Sequence, residues 1–261
     1  MLRSTLASLT EGENLQFEKL NVRFYNSELE LAQEAAKVAQ KYLASLLAVQ
    51  KTVSIILATG NSQRQFLSLL ASECEIDWSR VILFHLDEYL GVGKEQPTSF
   101  YHYLQAEIGS KVSPLQFHFI DGEALEPLSE CDRYIKLLQQ QPIDLCLLGI
   151  GDNGHLAFNE PGVANFNDPY PMKLVRLEAK TRQQQVNGGY FTALETVPQY
   201  AYTLTIPTIC SAKKIFCLAP GINKKEVVQK TLQQEISSQF PATILRTQPQ
   251  AVLFCQAIDL S

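Results

Sequence analysis

The sequence predicts an α/β protein: a mostly parallel sheet with helices on both faces, in a single domain over residues 1–261. Three observations predict it. Short apolar, β-branched runs alternate with runs of helical period, the pattern of right-handed βαβ crossovers. Residues 143–150 (IDLCLLGI) are apolar with little in–out alternation, as in a strand buried on both faces. No linker rich in Pro, Gly or Ser and no internal repeat divides the chain, whose 261 residues and 46% hydrophobic content suffice for a large core.

The elements follow in order. Residues 20–25 read as a strand, and residues 28–49 (ELELAQEAAKVAQKYLASLLAV) as a long helix, because Ala, Leu, Glu and Gln are good helix formers. Residues 52–58 (TVSIILA) form a buried strand that ends at Thr59-Gly60-Asn61-Ser62, with a helix over 63–70. A strand over 81–86 (VILFHL) precedes a helix over 99–108, a short strand over 116–120 and a helix over 131–140. Residues 143–150 make the central parallel strand. Beyond it, 173–177, 201–206, 214–219 and 251–256 are strands, with a helix over 224–235.

Composition narrows the function classes. With 22 basic and 27 acidic residues the net charge is −5, and no basic stripe suggests a nucleic-acid partner. No segment approaches the length of a membrane span, and the N-terminal stretch around Arg3 has no signal-peptide core. The expectation is a cytoplasmic protein, monomer or homo-oligomer, with neither membrane nor nucleic-acid partners. None of the six cysteines forms a Cys-x-x-Cys pair and most lie in apolar runs, so they read as small buried hydrophobes, not as metal ligands or disulfides.

Parallel sheets bind ligands outside the carboxyl ends of their strands, so the loops there are the candidate sites. In Thr59, Gly60, Asn61 and Ser62 the backbone could approach an anion at a helix start, or the loop could be an ordinary capped turn. At His85-Leu86-Asp87-Glu88-Tyr89 two adjacent acids follow a buried strand. They serve either as turn caps or as a general base. In residues 149–162 (GIGDNGHLAFNEPG) a central strand runs into three glycines and a His. There Asp152, Asn153 and Glu160 are in place to fix the tautomer of His155 and tune its proton affinity.

That last segment is similar to the signature of the glucosamine-6-phosphate deaminase (isomerase) family. Leu86-Asp87-Glu88-Tyr89-Leu90-Gly91, with Pro97, Ser99, Phe100 and Tyr101, resembles the family's second motif. Ala58-Thr59-Gly60, Val197-Pro198-Gln199-Tyr200-Ala201 and Gly221-Ile222-Asn223-Lys224 resemble further landmarks in the same order. The resemblance implies a Rossmann-like sheet and the conversion of an amino-sugar 6-phosphate to a keto-sugar phosphate and ammonia, with no metal, nucleotide or redox cofactor.

By the same resemblance, His155 would open the sugar ring, Asn153 and Glu160 would orient it, and Asp87 would move the proton between C2 and C1. Thr59, Gly60, Asn61, Ser62, Glu88, Gly154 and Lys224 would bind substrate. The related 6-phosphogluconolactonases share the fold, but Phe158-Asn159-Glu160-Pro161 favours the deaminase branch over a lactonase; the alternative reading is a lactonase-like hydrolase or an aldose–ketose isomerase on another sugar phosphate. Where the family places an Arg five residues after a Thr-Arg pair, this chain follows Thr181-Arg182 with Asn187, leaving Lys224, with Arg64 or Arg182, to hold a phosphate.

Overall fold

The computed structural model describes residues 14–257; the N-terminal stretch read above for a signal core lies outside the described residues. The chain opens with a hairpin, β1 (Asn14–Phe17) and β2 (Leu20–Tyr25), and enters α1 (Glu28–Leu47). Two reciprocal bonds set where α1 begins: Ser27 Oγ accepts from Glu30 N–H (3.2 Å), and the Glu30 carboxylate accepts from Asn26 N–H (3.0 Å). Leu31, Ala32, Ala35, Ala36, Ala39, Leu43 and Leu47 then recur at helical spacing, giving a stripe that is buried on the sheet.

The order continues with β3 (Val53–Leu57), α2 (Asn61–Ser72), β4 (Val81–His85), β5 (Asp87–Tyr89), α3 (Phe100–Leu104) and β6 (Gln116–Phe117). Next come α4 (Pro127–Leu138), β7 (Leu145–Gly149), β8 (Met172–Arg176), α5 (Ala179–Asn187), β9 (Tyr200–Leu204) and α6 (Ile206–Cys210). The last elements are β10 (Ile215–Ala219), α7 (Lys225–Gln233) and β11 (Ala251–Gln256). The helix expected over 99–108 is interrupted, since α3 passes into a π-helical turn at Gln105–Gly109.

Eight strands form the main sheet in the order β1-β2-β11-β10-β7-β3-β4-β6, parallel throughout except for the β1–β2 hairpin. Successive strand residues feed two cores. Ile55, Leu57, Leu83, Leu145 and Leu147 meet α1, α2 and α3 on one face. Ile56, Phe84, Cys146, Leu148 and Cys217 meet α4, α6 and α7 on the other. Cys146, Cys217 and Cys255 behave as small core hydrophobes, and all six cysteines are free thiols.

The strands read at 173–177 and 201–206 are present as β8 and β9, and they lie outside the main sheet, in an antiparallel three-stranded sheet with β5. The segment between β7 and β8 holds no helix, and a strand without a crossover cannot come back parallel to its predecessor. This second sheet stands over the carboxyl ends of the main strands. It has a small core of its own, with Tyr89, Val92, Phe158, Val175, Leu177 and Ala201.

From β3 the chain steps outward to β4 and β6, then returns to the other side of β3 as β7 and proceeds to β10 and β11. The strand order therefore reverses between β3 and β7. A crevice is expected beyond the ends of those two strands.

Candidate active site

A cleft of about 1000 Å³ opens at that reversal, lined by Thr59, Gly60, Asn61 and Ser62 after β3, Asp87 after β4, His155 after β7 and Lys224 after β10. Each of these was a candidate from sequence, and the fold brings them to one wall-to-wall site. Tyr103 supports the β3 loop, its hydroxyl donating to the Gly60 carbonyl (2.8 Å). Nothing local in sequence distinguishes Tyr103 from its aromatic neighbours on α3.

The imidazole of His155 is positioned by its own loop. Asn153 Oδ1 lies 2.7 Å from His155 Nδ1 and also accepts the His155 backbone N–H at 3.2 Å. Two donors meet at one atom, which identifies that atom as the amide oxygen and Nδ1 as the protonated ring nitrogen. Nε2 is left with its lone pair. The ring rests on the backbone of Gly151, where a β-carbon would overlap the imidazole, so residue 151 must be glycine. Burial first, and then the nearby positive charge of Lys224, lower the His155 pKa to about 4, with Asp152 opposing. Near neutral pH this imidazole is an uncharged acceptor.

Lys224 bridges two strand ends, donating to the Ile150 carbonyl (2.9 Å) and to Asp152 Oδ1 (2.8 Å). Asp152 thus enters the site as the partner of Lys224. On the opposite side Arg64, on the first turn of α2, is paired with Glu107 at 3.0 Å. Arg182 is not available to a ligand, because its guanidinium donates to the carbonyls of Leu194 (2.6 Å) and Val197 (2.9 Å). From α5 the cleft receives only the uncharged Gln184, Gln185 and Asn187.

Asp87 is 7% exposed, and its carboxyl takes no hydrogen bond from the described residues. Burial, reinforced by Glu88, raises its pKa well above the usual carboxylate range. The pleat of β5 sends Asp87 and Tyr89 into the cleft and Glu88 away from it. Glu88 was expected to bind substrate. It is instead consumed by Tyr89 N–H, Ser99 Oγ–H, Phe100 N–H and Tyr101 N–H, all within 3.1 Å.

Three further candidates, Asn153, Gly154 and Glu160, sit outside the cleft lining. Gly154, at φ +83°, shapes the turn: its carbonyl accepts from Ala242 N–H (2.8 Å), and a β-carbon there would press on the Phe240 ring. Glu160 is buried and faces α5, its Oε2 accepting from Glu178 N–H (3.2 Å) just before that helix. Burial raises the Glu160 carboxyl, with Thr181 and the Glu178 N–H opposing. Among the described residues no hydrogen bond joins Glu160 to His155, whereas Asn153 bonds both its ring and its backbone N–H.

A parallel sheet whose switch point gathers a neutral imidazole, a buried carboxyl and a lysine defines an α/β enzyme that moves protons on a small polar ligand. The chain belongs to the family described as glucosamine-6-phosphate isomerases/6-phosphogluconolactonase, whose model matches residues 26–254. It is 34% identical over 229 residues to a glucosamine-6-phosphate deaminase of Bacillus cereus (strain G9842), covering 88% of this chain and 85% of the relative. A corresponding deaminase of Bacillus thuringiensis (strain Al Hakam) is 33% identical over the same shares.

Among solved structures, a monomeric glucosamine-6-phosphate deaminase superposes with a TM-score of 0.80 at 31% identity, covering 90% of this chain and 96% of that one. The 6-phosphogluconolactonase of Thermotoga maritima shares the fold, with a TM-score of 0.73 at 18% identity over 91% and 99% of the two chains. No helix of the described residues is long and apolar enough to cross a membrane.

Proposed function

We propose that this enzyme converts an amino-sugar 6-phosphate, glucosamine 6-phosphate first, to fructose 6-phosphate and ammonia. The observation that carries the reading is the unprotonated Nε2 of His155, fixed by Asn153, in one cleft with the proton-avid Asp87. His155 accepts the proton of the anomeric hydroxyl and passes it to the ring oxygen, which breaks the ring C–O bond and leaves the open-chain aldehyde. Asp87 removes the C2 proton and returns it to C1, while the amino group gives up one proton and the aldehyde oxygen gains one, so that a 2-amino aldehyde becomes a 2-imine with a hydroxyl at C1. Water adds to that imine and ammonia departs. A carboxyl whose proton affinity is raised by burial suits the enolisation, because its conjugate base is the stronger base.

The phosphate falls to Lys224 and to the backbone of the loop at residues 59–62, supported by Arg64. The likeness to the Bacillus deaminases favours this substrate over a lactone. The test is a coupled ammonia-release assay over amino-sugar phosphates, with 6-phosphogluconolactone and amine-free sugar phosphates as separate arms. Ammonia release from glucosamine 6-phosphate, abolished in Asp87→Asn, is the expected result. Turnover of the lactone alone, or of no amino-sugar phosphate, overturns the reading.

A further inference from the structure

Directly beside the candidate base lies a buried carboxylate that, among the described residues, has no ion-pair partner. Glu88 is 1% exposed. Its Oε1 accepts from Tyr89 N–H (2.8 Å) and Phe100 N–H (3.1 Å), and its Oε2 from Ser99 Oγ–H (2.8 Å) and Tyr101 N–H (2.9 Å). An ionised carboxylate has about four acceptor directions, and here all are filled by donors. A proton on either oxygen would have to displace one of them. The charge is therefore held in place by the surrounding backbone and not by a salt bridge.

Asp87 has the opposite surroundings: buried, with no donor to its carboxyl from the described residues. When two neighbouring carboxyls share a poorly solvated site, the one with donors ionises and the other keeps its proton. We propose that Glu88 is a positioning residue that acts through Asp87: a carboxylate, its charge held by four donors, that pins β5 to the start of α3 and places its negative charge beside the candidate base. The two members of the acidic pair thus have different tasks, and the pleat separates them.

Around the pair stand His85 on β4, Tyr134 on α4, Tyr101 and Tyr103 on α3, Tyr202 on β9, Glu160 behind, and Tyr89, Tyr190 and His155 at the cleft. The two cations of the cleft are already engaged, Lys224 by Asp152 (2.8 Å) and Arg64 by Glu107 (3.0 Å). His85 is fully buried and held neutral, its pKa lowered to about 3. Arg133 on α4 is engaged by Glu130 at 2.6 Å. Burial raises Glu88 itself while its four donors oppose that rise, whereas nothing opposes the rise at Asp87.

The activity arm of the test rests on the amino-sugar reading above; the titration arm does not. Carboxyl-carbon NMR titration of the wild-type enzyme without substrate should show Asp87 taking up a proton at higher pH than Glu88. Protonation of Glu88 first overturns the proposal, whether or not any sugar is turned over. Kinetically, Glu88→Gln removes the charge and makes Asp87 easier to ionise, so the acid limb of kcat/KM moves to lower pH by about one unit. Glu88→Asp retains the charge and leaves the limb in place while lowering kcat. A folded Glu88→Gln enzyme with an unmoved limb overturns the proposal, and if that variant does not fold, the wild-type titration decides. Failure of the functional reading is seen separately, as absence of ammonia release by the wild-type enzyme.

Discussion

At the scale of single residues, the ring nitrogen that faces the cleft is decided by Asn153. Its Oδ1 holds the Nδ1 proton at 2.7 Å, and without it the imidazole would divide between two tautomers and rotate. Asn153→Ala is expected to lower kcat by about 10²-fold, within the range for general acid–base groups, with little change in KM or thermal midpoint. Steady-state assays together with nitrogen NMR of the ring check it. Under the proposed reading, Lys224 meets a different part of the ligand, the phosphate. Its removal in Lys224→Ala takes away a charge-assisted contact of about 1.5–3 kcal/mol, so KM for a phosphorylated substrate should rise by about 10- to 100-fold. The unphosphorylated sugar should be unaffected; an equal loss for both would show that Lys224 organises the cleft and does not grip phosphate.

At the scale of elements, legibility follows where the stabilisation comes from. Helix α1 is legible because its reasons are local: a serine cap, a reciprocal Glu30 and an apolar stripe. Ser27→Ala should cost about 1 kcal/mol in denaturant unfolding, with activity retained. Helix α5 was not legible, since Thr181 is its one buried residue and its sequence AKTRQQQVN has no apolar face. The three-residue strand β5 was read as a loop because its pairing partner, β9, lies more than a hundred residues away. The same pleat decides that Asp87 enters the cleft and Glu88 does not, which sequence adjacency alone could not reveal. The loop carrying His155 was legible by its residue types, and its geometry depends on Gly151. Gly151→Ala drives a β-carbon into the imidazole, so activity should fall by at least about 10²-fold, with destabilisation of about 1–3 kcal/mol.

At the scale of the whole molecule, the alternation of elements carried the fold class because periodicity reports burial directly. It could not show that β8 and β9 leave the main sheet, since a strand's partners are chosen by topology. The completed fold buries two ionisable groups whose pH effects have opposite sign. His85 has a folded pKa of about 3 against 6.5 when exposed, so its contribution is full above pH 6.5 and is lost as pH falls toward 3, with a slope approaching about 1.4 kcal/mol per unit. Asp87 has a folded pKa well above 3.8, so the folded chain holds a proton that the unfolded chain releases. Its contribution is present below 3.8 and is lost as pH rises through the folded value. Asp87→Asn removes that alkaline loss while keeping the side chain's size. The variant's thermal midpoint should therefore exceed the wild type's by a margin that closes near pH 4 and widens as pH rises above it, even though its turnover is abolished. Scanning calorimetry across that range separates the two outcomes, because a margin that does not vary with pH would mean that Asp87 is ionised equally in the folded and unfolded chains.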